Sequence, residues 1–115
     1  MENKVKEDFV LLGRKAIIDY GHFKVEAEYF ADNTFHWKTT FPTGQLREDD
    51  EKLSYKKLSD KQHFLSWIEK DGLTVSQVIN TKEKTVSSFT SYPDEKSERG
   101  KRAGTALEGK IEFMD

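Results

Sequence analysis

A chain of 115 residues, 35% apolar and 35% charged, has room for one domain (residues 1–115) with a small core and a heavily solvated surface. Its net charge of −2 gives no electrostatic drive toward nucleic acid or anionic membrane, and the lack of cysteine excludes disulfides and thiolate chemistry. Eight Phe, four Tyr and two Trp suit an all-β domain whose strands alternate inward and outward.

Residues 1–12 carry Val5, Phe9 and Leu12 at spacings a short helix uses, which predicts a helical turn or two against the domain. The apolar run Phe9-Val10-Leu11-Leu12 is too short for a signal peptide or a membrane span, so a soluble cytoplasmic protein is expected. Strands then follow closely. Arg14–Tyr20 ends at Gly21. Phe23–Phe30 alternates Phe23, Val25, Ala27 and Tyr29 with Lys24, Glu26 and Glu28. After the Ala31-Asp32-Asn33 turn, Thr34–Phe41 sets Phe35, Trp37 and Thr39 opposite His36, Lys38 and Thr40. Pro42-Thr43-Gly44 breaks the pattern, and the charged run Arg47–Lys52 is expected to be a solvated loop. Further strands are predicted at Leu53–Leu58, His63–Lys70, Leu73–Thr81, Thr85–Tyr92 and Arg102–Phe113. The polar stretch Pro93–Lys101 joins the last two, and the charges from Glu95 to Arg102 are read as solvated. Eight short strands with short connections predict a small antiparallel up-and-down barrel, whose interior holds side chains or one small ligand.

The hairpin around Asp71-Gly72 fixes a register. A two-residue loop would set Trp67 across from Ser76; a three-residue Lys70-Asp71-Gly72 loop sets Trp67 across from Val75 and Glu69 across from Leu73. The second gathers Leu65, Trp67, Leu73, Val75 and Ile79 on one face and is therefore favoured. That face keeps three polar exceptions: His63, Glu69 and Gln77. A carboxylate aimed inward needs a partner, a proton or a ligand. Glu69 is thus either a ligand contact with a raised pKa, or a rim ion pair with Arg47 or a lysine. Phe35, Trp37 and Trp67 share inward parity and either stack on a planar ligand or simply fill the barrel. Tyr20 has the same two readings. His22, His36 and His63 lie in separate elements without metal-ligand spacing, so no metal site is expected. His36, at outward parity beside Lys38, is expected to be solvated. Mixed signs in both charged runs argue against a nucleic-acid patch.

The segments Gly13-Arg14-Lys15, Asp19-Tyr20-Gly21, Asn33-Thr34-Phe35-His36-Trp37, Ser66-Trp67-Ile68-Glu69 with Asp71-Gly72, and Val75-Ser76-Gln77-Val78 together resemble the MoaF-like family of small calycin (lipocalin-like) barrels, over roughly residues 11 to 93. The layout is similar, more distantly, to the phenolic acid decarboxylases. Those enzymes use a buried glutamate, an arginine and two tyrosines, with no cofactor. The resemblance carries the glutamate onto Glu69 and one tyrosine onto Tyr20. Ile18 stands at the other tyrosine position, and Arg47 is the one candidate for the arginine.

Three readings follow. The first is a binder of a planar, partly polar small molecule, contacted by Tyr20, Phe35, Trp37, Trp67, Glu69, Val75 and Gln77, without a cofactor. The second is a cofactor-independent decarboxylase-like enzyme acting on a phenolic or related acid through Glu69, Tyr20 and Arg47. The third is a filled barrel that serves as an interaction module and forms a homodimer. An open or collapsed interior around Glu69, Tyr20 and Trp67 separates them.

Overall fold

Alternation of apolar and polar residues at period two produces strands, and the nine that form are joined in one antiparallel sheet. A computed structural model describes residues 11, 13–30 and 32–114. The helix expected within residues 1–12 lies outside the described residues except for Leu11, which sits in a turn and is fully buried. The strands are β1 (Lys15–Asp19), β2 (Lys24–Tyr29), β3 (Thr34–Thr40), β4 (Leu46–Lys52), β5 (Ser54–Lys57), β6 (Gln62–Ile68), β7 (Thr74–Asn80), β8 (Thr85–Pro93) and β9 (Arg102–Phe113). Their order across the sheet is β4-β3-β2-β1-β9-β8-β7-β6-β5. All neighbours except β1 and β9 are consecutive in the chain, the meander expected of an up-and-down barrel.

The sheet curls until its ends meet, because β4 and β5 are two halves of one bent segment. Up to Lys52 the segment pairs with β3; from Ser54 it pairs with β6. Leu53 at the bend is buried, and its N–H donates to the Asn33 carbonyl at 2.8 Å. Counted as one, β4 and β5 restore the predicted eight strands. The correction is local. Arg47–Lys52 is a strand, not a solvated loop, and the sequence reading recovered only the half beyond Leu53. Four acids and two basic residues in a row hide the apolar alternation by which a strand is recognised.

Packing is uneven along the barrel. Leu11, Ile18, Tyr29, Leu65, Ile79, Val86 and His63 have almost no exposure and form a solid floor. Tyr29 stacks on Phe35 with ring centroids 5.6 Å apart, and Phe35 meets Trp67 edge-on at 4.6 Å. His63 is 0% exposed. Its Nδ1 shares a 2.6 Å hydrogen bond with the Tyr55 hydroxyl, and its Nε2 has no hydrogen-bond partner. Burial pushes its pKa down, so this ring is a neutral core residue. His36 is on the outer face, as its parity required, but it is not simply solvated. It bridges Asp50 at 2.7 Å and Glu48 at 2.9 Å on β4, and those bonds push its pKa up.

The central hairpin has the three-residue loop. Trp67 pairs with Val75, and the Glu69 N–H donates to the Leu73 carbonyl at 2.7 Å. Gly72 takes φ 93°, the left-handed conformation that this loop needs from a glycine. Arg102, which the sequence reading placed with solvated charges, instead pins this loop. Its guanidinium donates to the Gly72 carbonyl at 2.7 Å, and to the Ser91 carbonyl at 3.0 Å and Oγ at 2.7 Å.

Candidate functional site

Above the floor the barrel is hollow. A cavity of about 190 Å³ opens toward one end. It is bounded by Ile18 on β1 and Tyr20 just beyond it, β2 through Ala27, β3 through Phe35, Trp37 and Thr39, the β6–β7 hairpin through Trp67, Glu69 and Leu73, and β7 through Val75 and Gln77. All seven residues expected to contact a ligand therefore line one space: Tyr20, Phe35, Trp37, Trp67, Glu69, Val75 and Gln77. Arg47 reaches the same space from β4. The volume is slightly above the ~150 Å³ of a cavity known to hold benzene, so a single ring with a polar substituent is the natural size of occupant.

The polar groups form two clusters. On one wall the Tyr20 hydroxyl accepts from Gln77 Nε2 at 3.0 Å and shares a 2.7 Å hydrogen bond with Ser88 Oγ. Burial dominates its environment and pushes the phenol pKa up. Tyr20 is thus a neutral, satisfied group whose orientation is set by two neighbours. At the mouth the second cluster pairs each tryptophan with a glutamate. Trp67 Nε1 donates to Glu69 Oε2 at 3.1 Å, and Trp37 Nε1 donates to Glu51 Oε2 at 3.0 Å. Burial raises the pKa of both carboxyls, the indole bonds lower them, and nearby acids raise them again. For Glu69 those acids are Glu51 and Asp71, with Arg47 opposing. For Glu51 they are Asp49 and Asp71, with Lys70 opposing.

Arg47 does not neutralise Glu69. It pairs with Asp71 at 3.6 Å, and Lys70 pairs with Asp49 at 3.3 Å. These two ion pairs span the gap between β4 and the β6–β7 hairpin, where no ladder bonds run.

Glu51 and Ser88 were missed by sequence reasoning. Glu51 is only 7% exposed although it belongs to the charged run. The one available signal was parity. It lies opposite Phe35 in the β3–β4 register and two residues before buried Leu53. Ser88 sits at an inward position of β8, but a short hydroxylated residue marks no face in a sequence; Thr39 is buried on the face its parity with Phe35 and Trp37 indicated. Among the described residues no group of three or more His, Cys, Asp or Glu side chains could hold a metal ion. No helix among the described residues is long and apolar enough to cross a membrane.

Replacing Glu69 by Gln tests its environment. The carboxyl pKa is raised in the folded protein. Its stabilising contribution is therefore complete below the unfolded-state value and is lost as pH rises through the folded value. Glu69→Gln is expected to match wild type at acid pH and to melt higher at neutral pH, by up to about 1 kcal/mol after screening at the mouth. A variant less stable than wild type only at neutral pH would show that Glu69 is an ionised salt-bridge partner.

Comparison with known proteins adds a family and a fold. A family model described as MoaF-like matches residues 12–105. In fold the chain is similar to the crystal structure described as a "putative beta-lactamase" from Burkholderia vietnamiensis, with a TM-score of 0.75. That match covers 90% of this chain and 95% of that chain at 13% identity, which supports a shared barrel and nothing finer. Comparison with curated proteins finds no match.

Proposed function

The chain belongs to the MoaF-like family, and we propose that its barrel interior binds a single-ring, planar, partly polar small molecule. One observation carries this reading. The interior retains about 190 Å³ where a solid core would be more stable, and aromatic side chains wall it. Phe35, Trp37 and Trp67 offer ring faces and edges for stacking, while Glu69 and Gln77 offer polar atoms that orient a ligand.

The chain's two tryptophans both line the cavity, so intrinsic fluorescence reports on its contents without a label. Titration with benzamide, a neutral ring bearing one polar group, is expected to shift or quench that emission saturably. Calorimetry should give the same affinity. A folded protein with no change up to about 10 mM would reject the reading, since even a weak ligand of this size saturates there.

The decarboxylase-like reading draws on one observation: Glu69, Tyr20 and Arg47 all border the same cavity. Three features weigh against it. Ile18 lines the cavity where the second hydroxyl is needed, Tyr20 is already engaged by Gln77 and Ser88, and Arg47 is turned to Asp71. Carbon dioxide release from a hydroxycinnamate, lost in Glu69→Gln, would restore it. The open interior also disfavours a filled barrel that acts only as a dimerising module.

A further inference from the structure

The charges at the cavity mouth do not balance. Two basic residues, Arg47 and Lys70, meet four acids, Glu48, Asp49, Glu69 and Asp71, and a fifth, Glu51, lies near enough to act on Glu69. Both cations are taken by the outer acids, as Arg47–Asp71 and Lys70–Asp49. The two inner carboxylates accept an indole N–H each and have no cation at ion-pair distance among the described residues, Arg47 and Lys70 acting on them only from farther away. Glu51 is in this position although it is 7% exposed. Each glutamate also keeps an oxygen, Oε1, that accepts no hydrogen bond from the described residues. Carboxylates withdrawn from solvent without a directly paired cation are costly, and a positive ligand relieves the cost. The described acids are not placed to ligate a metal ion, whereas the wall beside them is aromatic. That combination suits an organic cation whose charge meets the carboxylates and whose ring meets Trp37, Trp67 and Phe35.

We infer that the barrel selects small aromatic amines, with the protonated nitrogen held at Glu69, the Glu51 carboxylate adding negative charge through its place beside the lining residue Trp37, and the ring set against the tryptophans. This rests on the ligand-binding reading and names its ligand class. It also gives Glu51 a role as a specificity residue, which its position in a charged run concealed. The raised pKa of both glutamates makes amine binding proton-linked. The cation favours the ionised carboxylates, so uptake of the amine releases protons wherever these carboxyls are partly protonated. The groups facing this pair are Asp49 and Arg47 from β4, and Lys70 and Asp71 from the hairpin loop.

Three ring-matched probes test this: benzylamine as cation, benzamide as neutral molecule and benzoate as anion. Each is followed by tryptophan fluorescence and calorimetry at low salt. Benzylamine is expected to bind at least about tenfold more tightly than benzamide and more tightly still than benzoate, a difference set by one uncompensated charge. Glu51→Gln and Glu69→Gln are each expected to remove most of the amine preference, read as the ratio of benzylamine to benzamide affinity. Calorimetry of benzylamine in buffers of different ionisation enthalpy should reveal proton release that shrinks in both variants. Equal or weaker binding of benzylamine than of benzamide would overturn the amine inference and leave the ligand-binding reading standing. No binding of any probe to the folded protein would overturn both. A preference that survives both substitutions would overturn the assignment to this carboxylate pair.

Discussion

Trp67→Ala is expected to cost about 3–5 kcal/mol of folding stability, the range for removing a large buried aromatic. The ring is 8% exposed and bridges the solid floor to the hollow upper half. It meets Phe35 edge-on at 4.6 Å, and its residue pairs with Val75 across the hairpin. Its indole N–H is also the one side-chain donor to Glu69 among the described residues. Truncation therefore enlarges an existing void and leaves a half-buried carboxylate without its hydrogen bond, two penalties that add. Trp37→Ala should cost less, about 1–3 kcal/mol, because that ring is half-buried at the mouth and already borders open space. Urea unfolding of the two variants beside wild type checks the order. Equal effects, or a near-neutral Trp67→Ala, would mean that the floor does not depend on this ring.

How much was legible in the sequence follows from what kind of signal each feature leaves. The β6–β7 hairpin was readable down to its register, because only one loop length placed Leu65, Trp67, Val75 and Ile79 together, and Gly72 supplied the left-handed turn. The inward tilt of Glu69 and Gln77 followed from the same parity. β4 was not readable, since its buried residue Glu51 looks like surface in a sequence and becomes interior only when β4 pairs with β3. The ring–carboxylate pairings Trp37–Glu51 and Trp67–Glu69 differ for the same reason. The second joins residues two apart at the end of β6; the first joins residues fourteen apart on neighbouring strands and needs the β3–β4 register to exist. Arg102 and His36 show the limit from the outside. Both sit in charged surroundings, and only tertiary structure reveals that one clasps Gly72 and the other bridges Glu48 and Asp50.

Filling the cavity is expected to abolish binding without unfolding the barrel. Val75 is buried on β7, directly across from Trp67, and its side chain borders the cavity. Val75→Phe turns a ring into that space and competes with the ring of any ligand. In a tightly packed core such an enlargement costs about 1–3 kcal/mol, but here the added atoms enter a void and gain contacts with Phe35 and Trp67. Stability should therefore change by less than about 1 kcal/mol, in either direction. Affinity for the ring probes should fall at least a hundredfold, equivalent to about 2.8 kcal/mol. Ala27→Leu, which enters the same cavity from β2, provides a gentler second test and should weaken binding with the stability again kept. The two measurements separate a ligand site from a packing defect. A cavity that exists only because the core is imperfect gains stability when filled and has no binding to lose. Val75→Phe that melts higher and leaves probe affinity unchanged would place the ligand elsewhere and return the aromatic walls to a purely structural role.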